Sequence, residues 1–191
     1  MSINTENSTV RAVIERRTIR SYEETPLPKE VIDKLLQCAM WAPSGRNSQA
    51  CQVRVLTDKK ALDMLNTDFK NKVGWDTPAY TRWDVNPVYQ GAPAMFFIFA
   101  PTKGDNMNGG IMVENIAIAA ESMGLGSCII ASVGGLLDAE EGKKWKRLLK
   151  IDEDFEFIIS VAVGFKAENP EPKPRKPENF IVIEEIDYDA L

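Results

Sequence analysis

The stretch from Asn108 to Met123 restricts the possible architectures more than any other part of this chain. Beyond the opening Asn108, the residues Ile111, Met112, Val113, Ile116, Ile118 and several alanines leave only Glu114, Asn115, Glu121 and Ser122 polar. A helix that is apolar around most of its circumference has no proper solvent face, so it must run through the centre of a fold or lie against a second subunit. Asn108 and Gly109 open it, and Gly124 stands where a helix takes its C′ glycine.

The rest of the chain supplies enough material to enclose such a helix. At roughly 150 residues per domain, 191 residues correspond to about 1.3 domains. Nothing marks a second unit, so one domain over 1–191 is expected. Three- and four-residue spacing of Val10, Val13 and Ile14 predicts a first helix over Thr9 to Arg17, capped by Ser8 or Thr9. Pro28 suits the start of a second, which runs to about Met40 with Val31, Ile32, Leu35, Leu36 and Ala39 on one face. Alternation in Cys51 to Leu56 predicts a strand, and Lys59 to about Phe69 a third helix. Ala94 to Ala100, AMFFIFA, reads as a strand buried on both faces. Ser127 to Ala131 and Phe157 to Val163 are further strands, with an amphipathic helix over Ala139 to Leu149 between them. Periodicity fails from Asp68 to Gly91, where Trp75, Tyr80, Trp83 and Tyr89 mark a lid or a packed surface loop.

The C-terminal part changes character. Glu168 to Pro177, ENPEPKPRKP, holds four prolines in ten residues and cannot form helix or central strand. Phe180 to Ile183, FIVI, is then a strand candidate at the end of an extended arm. On its own this segment either folds back onto its own sheet or reaches beyond its own subunit.

The chain contains no histidine. Ser-His-Asp and Cys-His nucleophiles, His-ligated zinc, proximal-His haem and imidazole acid/base catalysis are therefore excluded. Cys38, Cys51 and Cys128 are isolated and contain no C-x-x-C pair, so they read as buried thiols in a reduced compartment. A net charge of −5 argues against nucleic acid or an anionic membrane as the main partner. The N-terminus has no signal-peptide pattern, and the run Ala92 to Pro101 is too short to span a bilayer, which together suggest a soluble cytoplasmic protein.

Two cationic clusters interrupt the acidic balance. Arg16, Arg17 and Arg20 surround Thr18, and Lys173, Arg175 and Lys176 lie in the proline-rich arm. The first can serve merely as cations at a helix C-terminus, the second as a solvated linker. Together they would suit a phosphate monoester, which takes planar Arg forks, Lys point charges and a short hydroxyl. Ser44, Gly45 and Asn47, in the loop Ala42 to Gln49, could add polar contacts. Other signatures are missing. Gly124 and Gly126 follow a helix instead of opening one, and neither a P-loop nor G-x-S-x-G or S-x-x-K occurs, which leaves Ser44 without support as a nucleophile. Asp76 with Asp84, and Glu140 with Glu141, have no special spacing, and no metal site is expected.

Four stretches in this order, ERRTIRSY (Glu15 to Tyr22), WAPSGRNSQ (Trp41 to Gln49), NIAIAAESMGLGSC (Asn115 to Cys128) and KPRKP (Lys173 to Pro177), make the chain resemble the FMN-dependent nitroreductases over nearly its whole length. The resemblance implies an α+β fold, with a central antiparallel sheet flanked by helices. It also implies an intertwined homodimer with FMN at the subunit interface, in which the arm over 168–191 exchanges its C-terminal strand with the partner. By position, Arg16, Arg17, Thr18 and Arg20 look like the family's R-R-S-x-R segment, serving the phosphate and the flavin's pyrimidine edge. Pro43, Ser44, Gly45 and Asn47 match the loop that the partner lends to the cofactor. Ile129, Ile130, Ala131 and Ser132 match the segment along the isoalloxazine, and Lys173 with Arg175 the pair at the phosphate. Asn86 is the candidate for the flavin's N3 and O4 edge. The chain departs from the pattern at Ala50 and Cys51, where relatives often place Pro-Trp, and at Ile129 to Ala131, where they often place Trp, Pro, Gly or Glu.

The activity implied is hydride transfer from NADH or NADPH through flavin N5 to a nitroaromatic, quinone or related small acceptor, by a ping-pong course with no protein catalytic residue. The cofactor does the difficult chemistry and the protein positions it. Two alternatives stay open: an FMN-binding carrier or sensor without efficient NAD(P)H turnover, and a specialised member such as a reductive dehalogenase or flavin-fragmenting enzyme.

Overall fold

The computed structural model describes residues 3–75 and 88–184. Strands β1 (Gln52–Leu56), β2 (Ala94–Ala100), β3 (Leu125–Ile130) and β4 (Glu156–Phe165) form an antiparallel sheet in the order β1-β2-β4-β3. Strand β2 occupies the middle, buried at every position. Its two-residue period feeds two cores. Met95, Phe97 and Phe99 pack with Leu62, Leu65 and Phe69 of α3 (Lys59–Val73) and with Trp145. Ala94, Phe96 and Ile98 pack on the opposite face with Leu35 and Ala39 of α2 (Lys29–Met40) and with the long apolar helix. Full burial of each large apolar side chain contributes about 1.5–3 kcal/mol, which is why a strand without polar alternation belongs at the centre.

The apolar helix α4 (Asn106–Ser122) buries Val113, Ile116 and Ala120 against the sheet and α2. Asn115 Nδ2 donates to Cys38 O at 3.1 Å and ties α4 to α2. The remaining apolar positions, Ile111 and Ile118, are only half-buried. Helix α1 (Ser8–Glu15) packs on α4 through buried Ala12, while Val13 and Ile14 are 51% and 67% exposed.

Several boundaries differ from the sequence expectations for local reasons. Asn7, not Ser8 or Thr9, caps α1, its side chain accepting from Thr9 and Val10 N–H at 3.0 Å each. The helix stops at Glu15 because Arg16 is already extended. Helix α3 continues to Val73, so Asp68 belongs to it, fixed by Trp145 Nε1 at 2.8 Å. The stretch 139–149 is not one helix. Helix α5 (Gly134–Leu137), a 3-10 turn over Glu140–Gly142 and α6 (Lys143–Leu148) replace it. The chain doubles back so closely there that a Cβ at position 142 would lie 2.2 Å from Leu136 O. Cys128 is buried as expected, whereas Cys38 and Cys51 are half-buried. Among the described residues Phe180 to Ile183 pairs with no strand, and its side chains are exposed. Among the described residues no helix is long and apolar enough to cross a membrane.

Candidate functional site

The segment after α1 is stitched to the sheet at both ends. Thr18 forms a parallel bridge with Ser127 of β3, and Ile19 N–H donates to Ser127 O at 2.9 Å. Tyr22 then bridges Lys166 just beyond β4, Glu23 N–H donates to Phe165 O and Ala167 N–H to Ser21 O, both at 3.0 Å. The extended backbone alternates its side chains. Ile19 is buried (1% exposed), while Thr18 and Arg20 face a cleft. The close approach to β3 depends on Gly126, where a Cβ would stand 2.8, 2.9 and 3.0 Å from Ile19 Cγ1, Cβ and Cγ2.

The cleft has a volume of 1250 Å³. Its walls are the segment from Thr18 to Leu27, the N-terminal parts of α2 and α3, Tyr89 to Pro93, and the arm at Glu168, Pro170 and Lys173. Single-ligand pockets commonly measure about 300–1,000 Å³, so there is room for more than one bound molecule. Charges of both signs line it: Arg20, Lys29, Lys59 and Lys173 against Glu24, Asp63 and Glu168. Glu168 Oε1 accepts from the backbone N–H of Arg20.

Arg16 and Arg20 both act on the buried thiol of β3. Burial pushes the Cys128 thiol up; Arg20 and Arg16 pull against this and Glu168 adds to it. Both guanidiniums and the carboxylate therefore act on one buried sulfur. Burial likewise raises the Tyr22 phenol, whose hydroxyl donates to Ile19 O at 2.8 Å. At the far wall, Asp63 accepts from the Tyr89 hydroxyl and from Lys59 Nζ, the latter at 2.8 Å. These bonds, Lys59 first, hold its carboxyl below the usual range, while burial and then Asp63 push Tyr89 up to about 12.

The candidate residues fall into three groups. Thr18, Arg20 and Lys173 meet in the cleft. Arg16 sits at the end of α1, its Nε 3.9 Å from Glu114 Oε1. Arg17 instead turns its Nη1 back to Ile14 O and Arg16 O at 2.8 and 2.9 Å, the helix-end role open to any such cation. Arg175 lies exposed beyond the cleft wall.

Pro43 and Ser44 line a different cavity, of 740 Å³, between α2, α4 and the start of β1. The loop there is held by its own bonds: Gly45 N–H to Asn108 Oδ1 at 3.0 Å, Asn47 N–H to Ser44 O at 2.9 Å and Gln49 N–H to Ser44 Oγ at 3.1 Å. Arg46, Asn47 and Gln49 all adopt left-handed backbone.

At the end of β3, Ile129 is 37% exposed, Ile130 is buried and accepts from Ser160 Oγ at 2.7 Å, and Ala131 and Ser132 form the turn into α5. Asn86, Tyr80 and Trp83 lie outside the described residues. Of the aromatic stretch, Trp75 stays exposed under Lys70, and Tyr89 is a core residue (3% exposed).

The sequence did not point to Glu168, Asp63 or Lys59 as parts of the cleft; Tyr22 carried a signal as the last residue of ERRTIRSY, and Tyr89 as one of the aromatics between Asp68 and Gly91. The others join the cleft through contacts that no local pattern announces.

Comparison with known proteins identifies the family and the fold. Residues 13–165 match the model of the Nitroreductase family. The chain is 27% identical to the NADPH-flavin oxidoreductase of Vibrio harveyi, over 97% of this chain and 76% of that protein. An FMN-dependent nitroreductase from Clostridium difficile is 27% identical with a TM-score of 0.74, covering 95% of this chain and 99% of the other. A nitroreductase from Desulfitobacterium hafniense, crystallised with bound FMN, has the same fold with a TM-score of 0.85 at 22% identity, covering 93% and 99%. The match spans the segment from Val13 to Phe165 that carries the sheet, α4 and the cleft wall apart from the arm, and the chain belongs to the Nitroreductase family.

Proposed function

We propose that this chain is an FMN-dependent oxidoreductase that moves hydride from NADH or NADPH to nitroaromatic, quinone or related small acceptors by a ping-pong course. The carrying observation is the convergence of Arg20, Thr18 and Lys173 on one cleft, with Arg16 beside them. That donor set fits a flavin phosphate and polar edge: cations for the anion, a hydroxyl beside them, and ample volume.

FMN, when bound, supplies the centre that takes hydride from a nicotinamide and passes electrons to the acceptor. The chain's own residues bind and orient it. Arg16, Thr18, Lys173 and Arg175 would hold the phosphate end, and Arg20 the electron-rich pyrimidine edge, where a fixed positive charge favours the reduced state. Ile129 to Ser132 would pack along the ring, with Asn86 at its remaining polar edge. Such hydride transfer requires no imidazole, which agrees with a sequence that lacks one.

We read 1–191 as one such domain in a cytoplasmic homodimer. Exposed Val13 and Ile14, half-buried Ile111 and Ile118, and the outer edge of β1 are apolar or unpaired surface that a partner would cover. The exposed segment Phe180 to Ile183 of one protomer is suited to pair with the other. Pro43, Ser44, Gly45 and Asn47 would reach the cofactor from across that interface.

A yellow protein after FMN addition, bleached anaerobically by NADH or NADPH, is the expected result. A protein that stays colourless after FMN is added would sink the proposal. The second reading, an FMN carrier without turnover, draws on the apolar Ile129 and Ala131, which offer no side-chain hydrogen bond to a ring. Retained FMN that neither nucleotide bleaches would select it.

A further inference from the structure

We propose that Glu168 is a positioning residue that sets the arm's cations at the phosphate end of the cleft. The inference rests on the FMN reading above. Residues 20–23 and 165–168 run antiparallel, and their ladder has identifiable rungs: Glu23 N–H to Phe165 O, the Tyr22–Lys166 bridge and Ala167 N–H to Ser21 O. Beyond Glu168 the arm cannot carry a regular ladder on, because Pro170, Pro172 and Pro174 have no N–H to donate. The Arg20 N–H donates to the Glu168 carboxylate. A side chain thus makes the last rung, at the point where the arm leaves the sheet and turns toward Lys173 and Arg175.

The placement looks contrary to function if charge alone is considered. A carboxylate beside Arg20 and Lys173 repels a phosphate and partly neutralises its cations. Its geometry supplies what the repulsion costs: it locks the Arg-bearing segment to the Lys-bearing arm, and an ordered cation loses less entropy on binding than one on a free chain. The useful property of Glu168 is therefore the reach of an acceptor oxygen, not the negative charge.

Two variants separate the two. Glu168→Gln keeps an acceptor oxygen at the same distance and removes the charge; Glu168→Asp keeps the charge and withdraws the oxygen by one methylene. Full-length apo-protein is titrated into FMN and, separately, into riboflavin, which lacks the phosphate, with flavin fluorescence as the readout. Glu168→Gln is expected to bind FMN within about threefold of the unmodified protein, and Glu168→Asp at least about tenfold more weakly, the loss of one hydrogen bond. Riboflavin affinity is expected to stay equal in all three.

Glu168→Asp binding FMN as well as the unmodified protein overturns the proposal. So does a parallel loss of FMN and riboflavin, which would mean a merely structural role. If the unmodified protein quenches neither flavin, the FMN reading itself fails and takes this inference with it. Binding by the unmodified protein with indifferent variants removes the inference alone.

Discussion

Gly126→Ala tests the claim that the core positions the cleft. The added Cβ would meet Ile19 at 2.8 Å (Cγ1), 2.9 Å (Cβ) and 3.0 Å (Cγ2). These atoms are the branch point of a β-branched side chain, and no χ1 rotation moves a Cβ. Relief must come from the backbone of Thr18 to Arg20 or from β3. Overpacking of this kind costs about 1–3 kcal/mol, and at about 2–4 °C per kcal/mol for a chain of this size Tm should fall by roughly 2–12 °C. The same shift moves Thr18 and Arg20 from their cleft positions, so FMN should bind at least about tenfold more weakly, as for the loss of one charged hydrogen bond. Calorimetry and flavin titration measure the two effects. Gly135→Ala is the control, since its Cβ would meet Val73 Cγ1 at an ordinary 3.5 Å. A Gly126→Ala protein with the Tm and FMN affinity of that control would mean that the Gly126–Ile19 contact does not position the cleft.

Arg175→Ala should loosen FMN by about tenfold or more while leaving riboflavin unaffected, because the phosphate is left under-neutralised; flavin titration of both ligands checks it. The Tyr89 phenol, pushed up to about 12 from 10.0, keeps its proton in the folded chain when the unfolded chain has lost it. Stability should therefore fall as pH rises from about 10 to about 12, less steeply in Tyr89→Phe, as followed by urea midpoints. Trp145→Ala removes a 2% exposed indole that donates to Asp68 Oδ2 at 2.8 Å and should cost about 3–5 kcal/mol, as measured by urea unfolding.

The elements most legible in the sequence are those in which one physical rule acts alone. AMFFIFA becomes β2 at the predicted residues because a fully apolar run of that length has only the centre of a sheet to occupy. Helix α2 begins just after Pro28 and ends near Met40, where its periodicity ends. Helix α4 is central on one side and incompletely covered on the other, so both readings of its apolar circumference hold in part. The failures are tertiary. The stretch 139–149 has helical periodicity but is broken by the close pass of Leu136 against Gly142. At the cleft, Thr18, Arg20 and Lys173 were legible as cations and a hydroxyl in linked motifs. Glu168 was not, because its partner lies 148 residues away and a carboxylate in a proline-rich arm reads as solvated.

The alternation at Thr18, Ile19 and Arg20 also limits how the chain can change length over evolutionary time. A residue inserted between Arg17 and Ile19 would turn the alternation over, sending a cation toward the core and the isoleucine into the cleft. The segment is bonded at Ser127 and again at Phe165 to Ala167, so no slack on either side can absorb the slip. Insertions and deletions should therefore be absent between Arg16 and Glu23 among relatives that keep the ligand. The arm beyond Pro170, which has no ladder to keep in step, should be where relatives differ in length.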